Sequence, residues 1–277
     1  MTVRYLVNCS ILCTDLPVLQ RPAAARAAGF EAVEFWWPFA QAVPADPEVD
    51  RFEAAVRDAG VALVGLNFFA GDMPAGDRGI VSWPGREAEF RDAVDVAVGI
   101  GERLGVRVLN ALYGNRLPDT DPARQDELAR ENLRTAAAAA ARIGATVVVE
   151  PLSGADRYPL RTADDVVTVL DDLARAGAGN VGLLADLYHL AVNGEDVGRA
   201  ITRHRDRIAH VQIADAPGRG EPGTGGLPLS AWIDDLDRGG HQGHVGLEYV
   251  PTAADPFAWL PRAERGGHHD ALGRTNS

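Results

Sequence analysis

The stretch that decides the fold is Val147-Val148-Val149-Glu150-Pro151, in which three β-branched residues lead into a carboxylate and a proline. A continuous apolar run of this kind is typical of a parallel strand that is buried on both faces. The proline ends the strand, so the charge is expected where the strand leaves the core. Three later runs have the same character: Leu183-Leu184-Ala185-Asp186, His210-Val211-Gln212-Ile213 and Val245-Gly246-Leu247-Glu248.

Eight units of strand followed by helix cover the chain. The predicted strands span residues 5–12, 31–35, 61–69, 106–112, 146–150, 181–186, 208–214 and 244–249. The predicted helices span residues 16–28, 46–60, 86–105, 119–143, 162–177 and 195–207, and two short ones begin near 230 and 255. With 277 residues, each unit has about 35, which is normal for a (β/α)8 barrel. We predict a single-domain TIM barrel of the α/β class; the alternative, a doubly wound sheet, is disfavoured because no G-x-G-x-x-G motif follows the first strand.

The barrel is predicted to occupy residues 1–262, because no change in composition marks a linker within them. Residues 263–277 are polar and contain glycine, so we predict a disordered C-terminal tail there. No apolar run reaches the length that spans a membrane, and the N-terminus lacks the apolar core of a signal peptide. These features predict a cytoplasmic protein without a membrane partner.

The net charge of −12 disfavours binding to nucleic acid, which depends on Lys and Arg neutralising phosphates. It leaves room for a small anionic substrate that is bound by one or two local arginines. The two cysteines, Cys9 and Cys13, are expected to be reduced thiols in packing positions. Self-association of the chain is left open.

Four side chains with oxygen atoms, Glu150, Asp186, Gln212 and Glu248, lie at or near the ends of predicted strands five to eight. Their spacings of 36, 26 and 36 residues each match about one strand–helix unit. Consecutive strands of such a barrel are neighbours, and active sites form at the C-terminal ends of the strands. Three carboxylates do not crowd together unpaired without a cation. An all-oxygen set therefore predicts a divalent metal site, most simply for Mg²⁺ or Mn²⁺, whereas the alternative is four strand-end groups that only reach solvent.

A divalent ion can hold the carbonyl and hydroxyl oxygens of an α-hydroxy carbonyl compound and stabilise the enediolate that forms when a carbon-bound proton leaves. Glu150 and Glu248 flank this site and are the predicted catalytic base and acid. Asp186 and Gln212 are the more purely structural ligands.

Further side chains are candidate substrate contacts. His189 follows Asp186 by three residues and could donate to a substrate oxygen, or else be satisfied by local structure. Arg219 lies in a glycine- and proline-rich loop, where it could bind a carboxylate over the site. The alternative for Arg219 is a surface pair with Glu221, which is itself a candidate contact. Asn67 and Asn110, near the ends of strands three and four, complete the predicted set.

At these residues the chain resembles the hydroxypyruvate isomerases, a branch of the xylose isomerase-like barrels. The similar segments, which span most of the domain, include Gly76-Asp77-Arg78-Gly79-Ile80, Asp186-Leu187-Tyr188-His189, Gln212-Ile213-Ala214-Asp215, Arg219-Gly220-Glu221-Pro222-Gly223-Thr224-Gly225 and Gly246-Leu247-Glu248-Tyr249. The resemblance implies interconversion of hydroxypyruvate and 2-hydroxy-3-oxopropanoate (tartronate semialdehyde) in glyoxylate metabolism. It also implies proton transfer by Glu150 and Glu248.

Two departures from the family concern the rim of the barrel. Val250 stands where the family often has lysine, and Phe68-Phe69 stands where it often has Leu-Pro. A bulkier, more apolar rim would fit a longer substrate. A 2-oxo-tetronate isomerase and a ketose 3-epimerase are therefore kept as alternative functions.

Overall fold

In the computed structural model, which describes residues 3–266, eight parallel strands form one closed barrel. The strands are β1 (Arg4–Asn8), β2 (Ala32–Phe35), β3 (Ala62–Asn67), β4 (Val108–Asn110), β5 (Thr146–Val149), β6 (Val181–Asp186), β7 (Ile208–Ile213) and β8 (His244–Leu247). Each strand pairs with the next, and β1 pairs with β8 to close the sheet. The predicted TIM barrel is confirmed.

Helices cover the outside of the barrel. They are α1 (Arg21–Ala27), α2 (Asp46–Ala59), α3 (Glu87–Leu104), α4 (Pro122–Ala141), α5 (Ala163–Arg175), α6 (Leu187–Val192), α7 (Val197–His204) and α8 (Leu229–Arg238), with short 3-10 helices at Val18–Gln20 and Arg262–Glu264. The predicted cap of α5 is confirmed, because Thr162 Oγ1 accepts a hydrogen bond from the Asp165 backbone N–H at 3.1 Å.

Strand β5 shows how the apolar runs direct their charged ends. Val147 and Val149 pack in the large core between strands and helices, whereas Val148 belongs to a small cluster with Val108 and Leu184 inside the barrel. Because side chains alternate along a strand, Glu150 points to the same side as Val148. The valines of β5 thus pack both in the core between strands and helices and in the cluster inside the barrel. The carboxylate of Glu150 lies above this inner cluster.

The register between β6 and β7 places two of the predicted ligands side by side. The pairing shifts between Leu183 and Leu184, and after this shift Asp186 lies opposite Gln212. A similar shift between Val33 and Glu34 occurs where β2 pairs with β3. Such irregularities turn a side chain relative to the regular ladder.

The predicted and observed helices differ in three main places. Helix α6 is not predicted from the sequence, and the helix predicted over 195–207 begins only at Val197. The six residues of α6 are too few to show a period, and the helix begins at a side-chain cap that Asp186 provides. No helix begins near residue 255 in the described chain; residues 251–260 form turns, and Pro261 would end a helix begun at Asp255 after only a few residues.

The predicted tail begins at residue 263, but the structure packs residues up to Gly266 on the barrel. The guanidinium of Arg265 donates hydrogen bonds to the carbonyl oxygens of Leu260, Ala28 and Phe257. It also lies 5.7 Å from the centre of the Phe257 ring. The remainder of the predicted disordered tail, 267–277, lies outside the described residues.

Candidate active site at the barrel mouth

The four predicted metal ligands are all buried at the C-terminal end of the barrel. Glu150, Asp186, Gln212 and Glu248 are each at most 5% exposed. Glu150, Asp186 and His189 form the tightest group, with one ligand atom of each within 4.8 Å of the others. Glu248 is not in this group.

Asn110 Oδ1 at the end of β4 is a buried oxygen without a hydrogen-bond donor in the described chain, and so are two atoms of the predicted metal ligands: Asp186 Oδ2 and Gln212 Oε1. The other oxygen of Asp186 is occupied, since Oδ1 accepts from the backbone N–H groups of Tyr188 and His189 at 2.9 and 3.2 Å. An unpaired buried oxygen is costly unless a ligand satisfies it. These two atoms, beside the carboxylates of Glu150 and Glu248, fit a hard divalent cation.

The orientation of the Gln212 amide is fixed from below by Glu34. The Gln212 Nε2 donates to Glu34 Oε1 at 2.7 Å, and Asn8 Nδ2 donates to the same oxygen at 3.0 Å. His210 Nε2 lies 2.6 Å from Glu34 Oε2. Because an ionised carboxylate only accepts hydrogen bonds, the NH₂ of Gln212 must face Glu34 and its oxygen must face away.

Glu34 was not among the predicted site residues. Its space inside the barrel depends on two glycines, because a Cβ at Gly65 or Gly246 would lie 3.1 or 2.7 Å from a Glu34 carboxylate oxygen. The sequence gives one indication of its role: a glutamate inside an otherwise apolar strand that is expected to be buried.

Glu150 is held by neighbours from β4 and from the loop after β5. Asn110 Nδ2 donates to Glu150 Oε1 at 2.7 Å, and the Tyr158 hydroxyl donates to the Glu150 backbone oxygen at 3.1 Å. Burial raises the pKa of Glu150 to about 8; the Asn110 hydrogen bond opposes this rise, and the Asp186 carboxylate adds to it. A protonated glutamate is therefore within reach near neutral pH.

Glu248 is held by side chains from the segments that follow β2 and β7. Its Oε1 accepts a hydrogen bond from Trp36 Nε1 at 2.8 Å and lies 3.2 Å from Arg219 Nη2. Burial raises the pKa of Glu248 well above its usual value, although the positive charge of Arg219 acts in the other direction. Trp36 was not predicted as a site residue, because its contact with Glu248 spans 212 positions of the chain.

Arg219 lies over the site and not at the surface. Its Nη2 is 3.7 Å from Asp186 Oδ2 in addition to its contact with Glu248, and its guanidinium carbon lies 5.5 Å from the Tyr188 ring centre. Arg219 has a positive φ of 57°, a conformation that the surrounding glycine- and proline-rich loop accommodates. Its acidic partners are therefore two of the predicted metal ligands, and the predicted alternative pair with Glu221 does not form.

His189 is neutral and has a defined tautomer. Its Nδ1 accepts from the Ser153 backbone N–H at 3.0 Å, so the proton of the neutral ring is on Nε2. Burial lowers the pKa of His189 to about 4, against the effect of Asp186. Its Nε2 lies 3.5 Å from Asp186 Oδ2 and can donate to a ligand placed there.

Two predicted substrate contacts have other partners in the structure. Glu221 accepts hydrogen bonds from the Thr252 backbone N–H at 2.8 Å and the Ala253 backbone N–H at 3.0 Å, so it holds the segment after β8. Asn110 binds Glu150, as described above. Neither lines the cavity of the described chain, whereas the predicted contacts Asn67, His189 and Arg219 do.

The cavity over these groups has a volume of about 1000 Å³. The strand-end acids form one side of it. Aromatic rings from the segment after β2 and from the end of β3 form much of the rest: Trp36, Trp37, Phe39 and Phe69. The loop after β3, residues 70–78, completes the wall.

The sequence model of the family described as "Xylose isomerase-like TIM barrel" matches residues 22–264. The chain belongs to this family. As a family member, it has the expected closed barrel with polar strand ends at the mouth.

Three proteins that are similar in sequence to this chain carry the names of isomerases. A Streptomyces coelicolor protein named "Putative hydroxypyruvate isomerase" is 52% identical over 93% of this chain and 95% of its own length. A Cupriavidus necator "2-oxo-tetronate isomerase" is 34% identical over 93% and 97% of the two chains. The Escherichia coli "Hydroxypyruvate isomerase" is 31% identical over 93% and 98%. The predicted resemblance is confirmed, and the chain is an enzyme of the aldose–ketose isomerase type.

No helix in residues 3–266 is both long enough and apolar enough to cross a membrane.

Proposed function

We propose that this enzyme interconverts hydroxypyruvate and 2-hydroxy-3-oxopropanoate by proton transfer between Glu150 and Glu248. The observation that carries the proposal is a pair of buried glutamates at the ends of β5 and β8, each fixed by separate hydrogen bonds. Between them, on β6 and β7, lie oxygens of Asp186 and Gln212 that accept no hydrogen bond in the described chain. Burial raises the pKa of both glutamates, which suits an acid and a base that exchange roles.

The proposed cofactor is Mg²⁺ or Mn²⁺, held by Glu150, Asp186, Gln212 and Glu248. When bound, the ion supplies positive charge beside the substrate oxygens on which negative charge develops. The protein residues supply the remaining functions. His189 carries its proton on Nε2 and can donate it to a substrate oxygen, and the aromatic rings supply an apolar wall beside the substrate.

The proton balance follows from the two compounds. In the forward direction one glutamate removes a proton from C3 of hydroxypyruvate, and the other delivers a proton to C2. The hydroxyl proton on the C3 oxygen moves to the C2 oxygen, so that C3 becomes the aldehyde and C2 the secondary alcohol. The enzyme regains its starting protonation when the two glutamates exchange a proton through solvent.

Proton NMR of hydroxypyruvate in D₂O, with purified enzyme and Mg²⁺ or Mn²⁺, tests the proposal. We expect loss of the C3 proton signal by exchange, together with the aldehyde signal of the product or its hydrate. If neither appears with either ion, hydroxypyruvate is not the substrate.

The likeness to the Cupriavidus necator protein named 2-oxo-tetronate isomerase supports one further candidate, a substrate with four carbons. The cavity, with a volume of about 1000 Å³, has room for such a substrate as well as for a three-carbon acid. Parallel measurements of kcat/KM on hydroxypyruvate, four-carbon 2-oxo acids and free ketoses decide between hydroxypyruvate isomerase, 2-oxo-tetronate isomerase and ketose 3-epimerase activity.

A further inference from the structure

The cavity wall contains four arginines, and they differ in what occupies their guanidinium groups: Arg21, Arg78, Arg86 and Arg219. Arg219 pairs with Glu248 and Asp186. Arg86 pairs with Glu89. These two charges are therefore already balanced by acids of the protein.

Arg78 has no carboxylate partner in residues 3–266 and donates only to backbone carbonyls. Its Nη1 bonds the oxygens of Met73 at 3.1 Å and Asp77 at 2.6 Å. The Nε and Nη2 atoms, which form the other edge of the guanidinium, donate to no residue of the described chain. Two parallel N–H groups on one edge match the two oxygens of a carboxylate.

Arg21 does not offer the same edge. It too lacks an acidic partner in the described chain, but its Nε donates to the Leu16 oxygen and its Nη1 to the Cys9 oxygen, both at 2.9 Å. With Nε occupied, Arg21 has no free Nε–Nη2 edge. Among the four arginines of this wall, Arg78 is thus the one whose Nε–Nη2 edge is open and which forms no ion pair in the described chain; Asp72 and Asp77 of the same loop also line the cavity but do not pair with it.

The backbone holds Arg78 in place. Its carbonyl oxygen accepts from the Gly114 N–H at 2.9 Å, and the next residue, Gly79, donates to the Ala70 oxygen at 2.9 Å. Gly79 has a φ of 99°, and a Cβ there would lie 1.8 Å from the Leu112 oxygen, so this close approach requires glycine. Because the loop is already held in place, little conformational entropy of the loop is lost when this side chain binds a ligand.

The charges of the site explain why such a group is needed. The proposed substrates carry a carboxylate, and the catalytic end of the cavity holds the carboxyl groups of Glu150, Asp186 and Glu248. A substrate carboxylate at that end would be repelled unless the acids were neutralised, and the nearest arginine is already paired with two of them. The open fork of Arg78 is on the loop that forms another part of the same wall.

We propose that Arg78 binds the substrate carboxylate through its Nε–Nη2 edge and thereby selects hydroxy-oxo acids over neutral ketoses. This inference rests on the proposed function for the substrate class. It assigns carboxylate recognition to the loop after β3, separate from the strand ends that carry the chemistry.

The kinetic test uses Arg78→Met, which removes the charge and keeps the length of the side chain, and Arg78→Lys, which keeps one charge but not the fork. We expect KM for the oxo acid to rise about 10- to 100-fold in Arg78→Met, with a much smaller change in kcat. Arg78→Lys should recover part of the loss. The matched control is Arg107→Met, because Arg107 is exposed and also donates to a backbone carbonyl, that of Ile143. A fall in kcat at constant KM, or an equal effect of both Met variants, would overturn the proposal.

A binding test separates this proposal from the proposed reaction. Glycerate, an unreactive hydroxy acid, and glycerol, its neutral counterpart, are titrated while the intrinsic tryptophan fluorescence is followed, to which Trp36 and Trp37 of the cavity wall contribute. We expect the parent to bind glycerate in preference to glycerol, and Arg78→Met to lose that preference while its circular dichroism spectrum is unchanged. Equal glycerate binding by parent and Arg78→Met, or no preference in the parent, contradicts the role of Arg78. Preference without turnover of any oxo acid contradicts the proposed reaction alone.

Discussion

The two halves of the barrel mouth are built differently. The half formed by β5 to β8 carries its functional groups at strand ends, and three of its four are carboxylic acids. The half formed by β1 to β4 contributes aromatic rings and three arginines from the segments that follow its strands, and one buried glutamate below the mouth. The difference suggests a division of labour: strand ends fix reacting groups rigidly, whereas loops shape the pocket to the substrate.

The largest effect is expected in the first half. Glu150→Gln and Glu248→Gln keep the size of the side chain but cannot take up a proton. We expect kcat to fall about 10³-fold in each, within the range of general acid–base catalysis. Glu127→Gln is the control, because Glu127 is exposed and pairs only with Arg124 on α4. Steady-state kinetics on the best oxo acid measure this; unchanged kcat in either variant would place the proton transfer elsewhere.

Metal binding is the next largest expected effect. At a Mn²⁺ concentration one hundred times Kd, the folded enzyme should gain about 2.7 kcal/mol over the chelator-treated enzyme. Asp186→Asn should lose most of this gain, although the asparagine Oδ1 can still cap α6. Thermal melts with and without Mn²⁺ measure both. If the Tm of the parent enzyme is the same with and without Mn²⁺, these residues do not form a metal site.

Glu34 connects the two halves, since it lies on β2 and orients a ligand on β7. Glu34→Gln gives the Gln212 amide a partner that can itself donate, so the orientation of Gln212 is no longer fixed. We expect Mn²⁺ affinity to fall about 10- to 100-fold, as for other residues that orient metal ligands. Titration calorimetry checks this, with Glu31→Gln as control because Glu31 only forms a surface pair with Arg26. Equal affinities would mean that Gln212 is oriented by other contacts.

A smaller effect is expected from one methyl group in the interior. Gly246→Ala would place a Cβ 2.7 Å from Glu34 Oε1 and 3.0 Å from Gln212 Cγ. The free energy of unfolding should fall by about 1–3 kcal/mol, the usual range for overpacking, and Mn²⁺ affinity should fall with it. Gly179→Ala is the control, because nothing lies within 4 Å of its added Cβ. Denaturant melts measure the stability; a neutral Gly246→Ala would show that this interior can readjust.

The difference between the β5–β8 half and the β1–β4 half also explains which features could be predicted from the sequence. The strands of the β5–β8 half are marked by apolar runs, and period-two alternation carries their direction to Glu150, Asp186, Gln212 and Glu248. The repeated unit of strand and helix thus predicted both the barrel and the position of these four residues at one of its ends. Local rules sufficed because each side chain is placed by its own strand.

The unpredicted features depend on contacts between distant parts of the chain. Glu34 has its role through His210 and Gln212, which are 176 and 178 positions away. Glu221 is only two residues from Arg219 in the loop, yet it binds the segment after β8. Helix α6 is too short to show a helical period, and it begins only because the Asp186 side chain accepts from the Tyr188 and His189 backbone N–H groups. A single sequence contains these residues but not the pairings that decide what each of them does.

The pairing of Gln212 with Glu34 also limits which amino acids this position can accept in a redesigned or diverging enzyme. The side chain there must present a hydrogen-bond donor downwards to Glu34 and an electron pair upwards to the mouth. Glutamine does both through its amide, and a neutral histidine can do both through its two ring nitrogens. A glutamate would set two carboxylates against each other, and a leucine would leave Glu34 without this donor. Glu34, which is not itself one of the proposed metal ligands, thus restricts which side chain can serve as a ligand at position 212.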